Sequence, residues 1–207
     1  MSRIFINYRR VDSEGHVGRL MDHLAQHFSP DDIFMDIESI KPGEDFIETI
    51  EKAVAACDVF LLMIGPHWLT AADEAGRRRL DLWDDFVRVE IITALKLNKK
   101  IFPVLVGRAT MPHPDDLPEE MRGFTRRQAT ELTHTRFAQD AQKLIVAIRE
   151  AMPSETHRKV RTNADTYLQK EAALKALRME LIDASGSPLY AYRQKMSYFP
   201  VIGTGNP

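Results

Sequence analysis

The stretch Val59–Ile64 reads VFLLMI, six apolar residues in succession, and Gly65-Pro66 follows it directly. An uninterrupted apolar run that ends at turn-forming residues favours a strand of a parallel sheet, because such strands are buried on both faces. The run therefore predicts the central strand of the fold. By similar reasoning, further strands are predicted at residues 4–8, 33–37 and 101–106, with a short edge strand near 129–132.

Segments with helical spacing of apolar residues separate these strands, at about residues 17–28, 46–57, 84–97 and 137–148. This alternation predicts an α/β fold with a doubly wound, mostly parallel sheet and right-handed crossovers. Pro103 lacks an N–H group, which predicts that its strand lies near a sheet edge or carries a bulge. Ligands of such folds bind beyond the carboxyl ends of the strands. That rim is predicted to include a polar loop at 9–15, the Pro42-Gly43 turn and residues 65–68.

Glu90 stands out in the third predicted helix. Val87, Ile91, Ala94 and Leu95 form one apolar stripe of that helix, and Glu90 lies at its margin. A carboxylate in an apolar stripe is costly unless it is paired or faces a cleft. Two interpretations stay open on the pattern alone: a structural glutamate bonded to a backbone N–H or an arginine, or a functional carboxylate in a cleft. Asp84 or Asp85 can cap the helix.

Composition limits the function classes. The chain has 207 residues, 44% of them hydrophobic, which is enough for one packed domain and an additional segment. The net charge of −2 indicates no general attraction to nucleic acid or membranes. The single cysteine, Cys57, cannot form an internal disulfide, and no signal-peptide pattern or membrane-length apolar run occurs, so a cytoplasmic location is expected.

Several familiar sites of α/β proteins are excluded by motif. The sequence has no G-x-G-x-x-G after a strand, no phosphate-binding G-x-x-x-x-G-K-[ST], and no G-x-S-x-G elbow. The acidic residues of a receiver domain are missing after the first and third strands. The seven histidines show no metal-ligand spacing, so no metal site is expected.

Four segments carry a resemblance to a known family. Residues 4–10 (IFINYRR), 34–46 (FMDIESIKPGEDF), 57–69 (CDVFLLMIGPHWL) and 85–91 (DFVRVEI) resemble, in order, the first box, the second strand and BB loop, the third strand, and the glutamate-bearing helix of TIR (Toll/interleukin-1 receptor) domains of bacterial type. The resemblance covers about residues 3–152 and implies a flavodoxin-like fold, with residues 1–152 as the TIR domain.

Catalytically active TIR domains hydrolyse or cyclise NAD⁺ and release nicotinamide. The resemblance places Glu90 at their catalytic position, and Phe86 where active members often have tryptophan. It implies NAD⁺ as substrate rather than a bound cofactor, other TIR domains as partners, and a role in bacterial immune or stress signalling. The alternative is a scaffold without catalysis that acts through TIR–TIR contacts.

Other candidate substrate-binding residues follow from that resemblance. Arg9 or Arg10 can meet the pyrophosphate, and Tyr8 or Trp68 can stack on a ring; salt bridges and core packing are the alternatives. Lys41, beside Pro42-Gly43, is assigned to a mobile gate or an assembly surface. In contrast, the three arginines at 77–79 are predicted to lie on a solvated face.

The C-terminal quarter differs in composition. Residues 153–185 are predicted to form a charged helical linker, and 186–207 a tail or the start of a second domain. Residues 174–207 weakly resemble the N-terminal approach of family 4-like uracil-DNA glycosylases, without the cluster-binding cysteine. The resemblance suggests a piece of a longer TIR fusion, in which a nucleic acid could be bound only through the missing domain. A plain tail is the alternative.

Overall fold

The computed structural model describes residues 3–35 and 46–152. Within these ranges one parallel sheet is formed in the order β2-β1-β3-β4-β5. Its strands are β1 (Ile4–Asn7), β2 (Ile33–Met35), β3 (Val59–Ile64), β4 (Lys100–Val106) and β5 (Thr130–Leu132). This order is the flavodoxin-like one. The predicted α/β doubly wound sheet is confirmed.

The VFLLMI run forms β3 with the bounds that its apolar pattern predicted, and all six residues are buried. It lies in the middle of the sheet and pairs with β1 and β4. Phe60 stacks on Phe5 of β1 with ring centroids 5.3 Å apart. A strand with apolar side chains on both faces requires cover on both, and this requirement places helices above and below it.

Helices cover both faces of the sheet. α1 (Arg10–Leu24) and α4 (Phe137–Ala151) pack on one face, and α2 (Phe46–Ala56) and α3 (Phe86–Lys96) on the other. Side chains that alternate along β3 divide between the two layers. Each layer thus has its own apolar core, and the two cores share the sheet.

The first helix begins earlier than its sequence predicted. Residues 9–15 were expected to form a polar loop, but α1 starts at Arg10. Its inward positions, Ser13, Val17, Leu20 and Leu24, keep helical spacing, and the first of them is a serine whose hydroxyl donates to the carbonyl of Arg9. The polar residues of the first turns lie on the outer surface, which is why composition alone indicated a loop. The loop between β1 and α1 therefore consists only of Tyr8 and Arg9.

Pro103 lies near a sheet edge, as predicted, because β4 is the neighbour of the edge strand β5. β4 pairs with β3 through Pro103, opposite Leu62, so it is an inner strand. On its other side β4 pairs with β5 only from Val104 onward. Pro103 therefore lies just before the second ladder begins, where a missing N–H disrupts no β5 pairing.

Some predictions concern residues outside the described ranges. These are the structure around Lys41 and Pro42-Gly43, the linker at 153–185 and the segment 186–207. Within the described ranges, no helix combines the length and apolar character that crossing a membrane requires.

Replacing Asp140 by asparagine is expected to lower the free energy of unfolding by about 1 kcal/mol at pH 7. Asp140, in the first turn of α4, accepts hydrogen bonds from the hydroxyl of Thr133 at 2.6 Å and from its N–H at 3.1 Å. These bonds hold the pKa of Asp140 below its ordinary value of 3.8. A lowered native pKa stabilises the fold above the unfolded pKa, and that contribution is lost as the pH falls through the native value.

Urea unfolding of wild type and Asp140→Asn at pH 7 and at acid pH measures this effect. The difference is expected to shrink once the pH falls below 3.8, the ordinary value. Thr133→Val, which removes the hydroxyl donor, is expected to reduce the pH-dependent part of the free energy of unfolding. A difference that stays constant with pH would contradict the assignment.

Candidate active site

A cleft of about 180 Å³ opens beyond the carboxyl end of β1, beside the start of α3. The residues around it come from the end of β1, the first turn of α1, a short 3₁₀ helix and α3. They are Tyr8, Arg9, Arg10, Val11, Arg79, Asp85, Phe86, Val87 and Glu90. The cleft thus lies where ligands bind in doubly wound sheets. Five of the predicted site residues, Tyr8, Arg9, Arg10, Phe86 and Glu90, are brought together there.

Glu90 is buried at this cleft, with 4% of its surface exposed. The side-chain amide of Asn7 donates a hydrogen bond of 2.6 Å to Glu90 Oε2 and lies 3.3 Å from the carbonyl of Val87. Asn7 is the last residue of β1 and is fully buried. The sheet therefore fixes the direction of the carboxylate through a neutral donor. Glu90 therefore lies at a cleft, and its functional role stays a prediction.

Asp85 borders the cleft and forms hydrogen bonds that connect α3 with the end of β1. It is the N-cap of α3 and accepts from the N–H of Arg88 at 3.1 Å. Its carboxylate also receives two parallel hydrogen bonds of 3.0 Å from the Arg9 guanidinium, and one of 3.0 Å from Arg79 Nε. Arg9 and Asp85 are 5% and 2% exposed. A buried, bidentate arginine–carboxylate pair is geometrically specific, and this one fixes the end of β1 against the start of α3.

The surroundings of α3 explain why a helix with a charged residue is buried so deeply. Besides the sheet, α3 contacts α2 and the 3₁₀ helix Glu119–Arg126. Its residues 89–94 are all buried. The sequence predicted one apolar stripe, whereas the helix is enclosed on most sides. Only its N-terminal end reaches the cleft, and that end carries Phe86 and Glu90.

Trp68 lies apart from the cleft. Its side chain is fully buried and meets Phe124 edge-to-face at 5.9 Å. The structure gives it a packing role and leaves no surface on which a substrate ring could stack.

Gly65, which directly follows β3, faces α1, because the carboxylate of Asp12 lies 2.3 Å from the point where a Cβ would be. Asp12 also accepts from the N–H of His67 at 2.7 Å.

Three contributors were not identified from the sequence. Asn7 was visible only as a polar residue at the end of an apolar strand. Asp85 was predicted as a cap but not as a partner of Arg9. Arg79 was predicted with its neighbours to lie on a solvated face, yet it contacts Asp85 and borders the cleft. Lys41 lies outside the described residues and remains a prediction. In the parts of the chain that are described, no group of His, Cys, Asp and Glu could hold a metal ion.

Comparison with known proteins identifies the family of this chain. A family model for the TIR domain matches residues 4–145. NAD(+) hydrolase SARM1 of Danio rerio is 28% identical over 155 residues, which cover 73% of this chain and 20% of that protein. NAD(+) hydrolase sarm1 of Drosophila melanogaster is 29% identical over 122 residues, or 58% of this chain and 8% of that protein. The chain thus spans a fifth or less of these curated relatives.

Solved structures agree on the fold. The TIR domains of the activated Roq1 resistosome match with a TM-score of 0.50 and 13% identity, over 72% of this chain and 98% of that one. At this identity the likeness shows the fold alone. The family model, however, matches more than half of the sequence, including β1, α3 and the residues of the cleft that they carry. This chain belongs to the TIR domain family.

Proposed function

We propose that the chain cleaves the nicotinamide–ribose bond of NAD⁺ and that Glu90 is its catalytic residue. The observation that carries this proposal is the position of Glu90. Its carboxylate is almost entirely buried, lies at the ligand-binding end of the sheet, and is directed by Asn7 at 2.6 Å. Burial of a carboxylate is costly, and its occurrence at a cleft is typical of functional sites.

The chemistry of NAD⁺ suits a single carboxylate. Nicotinamide is bound to ribose through a cationic nitrogen and leaves as a neutral molecule, so the leaving group needs no proton. As the bond breaks, positive charge develops on the ribose, as in other glycoside cleavages. A fixed carboxylate such as Glu90 stabilises that charge, and stabilisation is strongest where little water screens it.

The reaction balances without a further reactant besides water. The C–N bond electrons leave with nicotinamide, water adds to the ribose carbon, and one proton is released with ADP-ribose. In cyclisation an adenine nitrogen takes the place of water. Tyr8 and Phe86 border the cleft and provide aromatic surface for the leaving nicotinamide or the adenine.

Sequence relationships support the same proposal. Residues 85–91 resemble the family segment that contains the catalytic glutamate, and both curated relatives are named as NAD(+) hydrolases. We extend the proposal to a role in bacterial immune or stress signalling in the cytoplasm, as the resemblance implies. The alternative function, a scaffold without catalysis, retains the same fold and TIR–TIR contacts and leaves NAD⁺ intact.

The size of the cleft supports assembly as part of the activity. Pockets that enclose drug-sized ligands are usually about 300–1,000 Å³, whereas this cleft is about 180 Å³. It has room for part of a dinucleotide. Contact with another TIR domain can enclose the remainder, so activity is expected to rise when copies of the chain are held close together.

Nicotinamide release from NAD⁺ by the purified chain tests this function. The assay compares dilute protein with the same protein concentrated on beads, and chromatography distinguishes ADP-ribose from its cyclic form. We expect release to increase on clustering. Glu90→Ala, purified and clustered identically, controls for a contaminating hydrolase and is expected to give only background release. Absence of turnover by the clustered wild-type chain would contradict the enzyme and favour the scaffold.

A further inference from the structure

We propose that Arg79, rather than Arg9, binds the pyrophosphate of the dinucleotide. This inference rests on the proposed function and assigns a substrate contact at the same cleft. Arg79 begins the short 3₁₀ helix Arg79–Asp81, and its side chain is 36% exposed. It borders the cleft together with Glu90. Nothing in the local sequence distinguishes it from the two arginines before it.

The geometry of Arg79 suits an anchored anion-binding group. Its Nε donates to Asp85 Oδ2 at 3.0 Å, and this contact fixes the plane of the guanidinium. Among the described residues, it is the one hydrogen bond and ion pair that the Arg79 side chain makes. The two terminal nitrogens therefore keep their donors for a ligand. A guanidinium held in this way can donate two hydrogen bonds to phosphate oxygens.

Arg9 is differently placed. Both of its terminal nitrogens donate to Asp85, at 3.0 Å each, and the side chain is 5% exposed. The other N–H donors of Arg9, including the unpartnered Nε, are buried with the side chain. Turning them toward a phosphate would disturb a buried ion pair, which is unfavourable. The interpretation of Arg9 as a salt-bridge residue is therefore the one that the geometry favours. Asp85 orients both arginines, but the donors left on Arg9 belong to a side chain that is 5% exposed, whereas those of Arg79 belong to one that is 36% exposed.

The charges around the cleft match this substrate. Arg9 and Arg79 both pair with Asp85, so one carboxylate faces two guanidinium groups. The other charged groups at the cleft are the cationic Arg10 and the carboxylate of Glu90. NAD⁺ has an anionic pyrophosphate and a cationic nicotinamide ring. A cleft that is bordered by arginines and by a buried carboxylate can bind both parts at once.

Kinetics with Arg79→Gln test the assignment, with Arg77→Gln as the matched control. Arg77 belongs to the same segment, but it is exposed and pairs with Asp73. We expect Arg79→Gln to raise KM for NAD⁺ about tenfold or more, because an ionic hydrogen bond is lost. The kcat value is expected to change less than about twofold, because pyrophosphate contacts are uniform between ground and transition states. Arg77→Gln is expected to leave both constants unchanged.

Equilibrium binding separates this inference from the proposed function. ADP contains the pyrophosphate but no glycosidic bond to nicotinamide, so its affinity can be measured whether or not NAD⁺ is cleaved. We expect ADP binding to weaken about tenfold in Arg79→Gln, with adenosine binding unchanged. Arg79→Lys is expected to weaken it similarly, because an ammonium that pairs with Asp85 has no fork to present. Thermal unfolding verifies that each variant is folded.

Two results would overturn the assignment. One is equal ADP affinity of wild type, Arg79→Gln and Arg77→Gln. The other is a wild-type chain that binds no ADP at millimolar concentration. A chain that binds ADP through Arg79 but releases no nicotinamide would retain the binding residue and refute the enzyme alone.

Discussion

Replacing Glu90 by glutamine is expected to lower kcat/KM for NAD⁺ at least about 100-fold, which is the order of effect of removing one preorganised charge-stabilising group. Glutamine has the same shape, and its side-chain oxygen can still accept from Asn7, which lies 2.6 Å from the native carboxylate. The variant therefore removes negative charge with little change in packing. Because positive charge develops on ribose in the transition state, the loss is expected mainly in kcat.

Glu51→Gln is the matched control for this measurement. Glu51 is also 4% exposed and lies on α2, away from the residues that border the cleft. Nicotinamide release should be close to wild type in Glu51→Gln and strongly reduced in Glu90→Gln, with similar unfolding temperatures. Wild-type activity in both variants would refute a catalytic role for Glu90. An equal loss in both would show a general effect of removing a buried carboxylate.

The sequence contained the elements needed to place Glu90, because they depend on local pattern. The run at 59–64 predicted the strand that the structure shows, and the alternation of strands and helices determined which ends form the rim. Glu90 then stood out as a carboxylate beside an apolar stripe. Periodicity identifies such a residue because burial of charge is costly and therefore rare.

The sequence could not indicate the partners that hold Glu90 and Arg9, because those contacts link residues far apart in the chain. Asn7 and Glu90 are 83 positions apart, and Arg9 and Asp85 are 76 apart. Local composition also misled at 77–79, where three adjacent arginines suggested one solvated face. Each has a different carboxylate partner: Asp73, Asp81 and Asp85 in turn. Of these three pairs, only Arg79 and Asp85 border the cleft.

Replacing Asp85 by alanine is expected to lower the free energy of unfolding by about 3–5 kcal/mol, which is typical when one member of a buried ion pair is removed. The Arg9 and Asp85 side chains are 5% and 1% exposed, so the guanidinium would remain buried without its counter-charge. The N-cap bond to Arg88 is lost as well, and a cap contributes about 1 kcal/mol. Urea unfolding measures the change. Asp81→Ala, which removes a 54% exposed partner of Arg78, is expected to cost less than about 1 kcal/mol.

The origin of this loss can be tested by removing both charges. In the double variant Arg9→Met with Asp85→Ala, no buried cation is left unpaired, and the cap of α3 is absent from both variants. If the cost of Asp85→Ala arises from the stranded guanidinium, the double variant is expected to be more stable than the single one, despite its additional substitution. A double variant that is less stable than Asp85→Ala would assign the loss to the pair's own attraction. Because the pair fixes the start of α3, NAD⁺ turnover should fall in both variants even where the fold recovers.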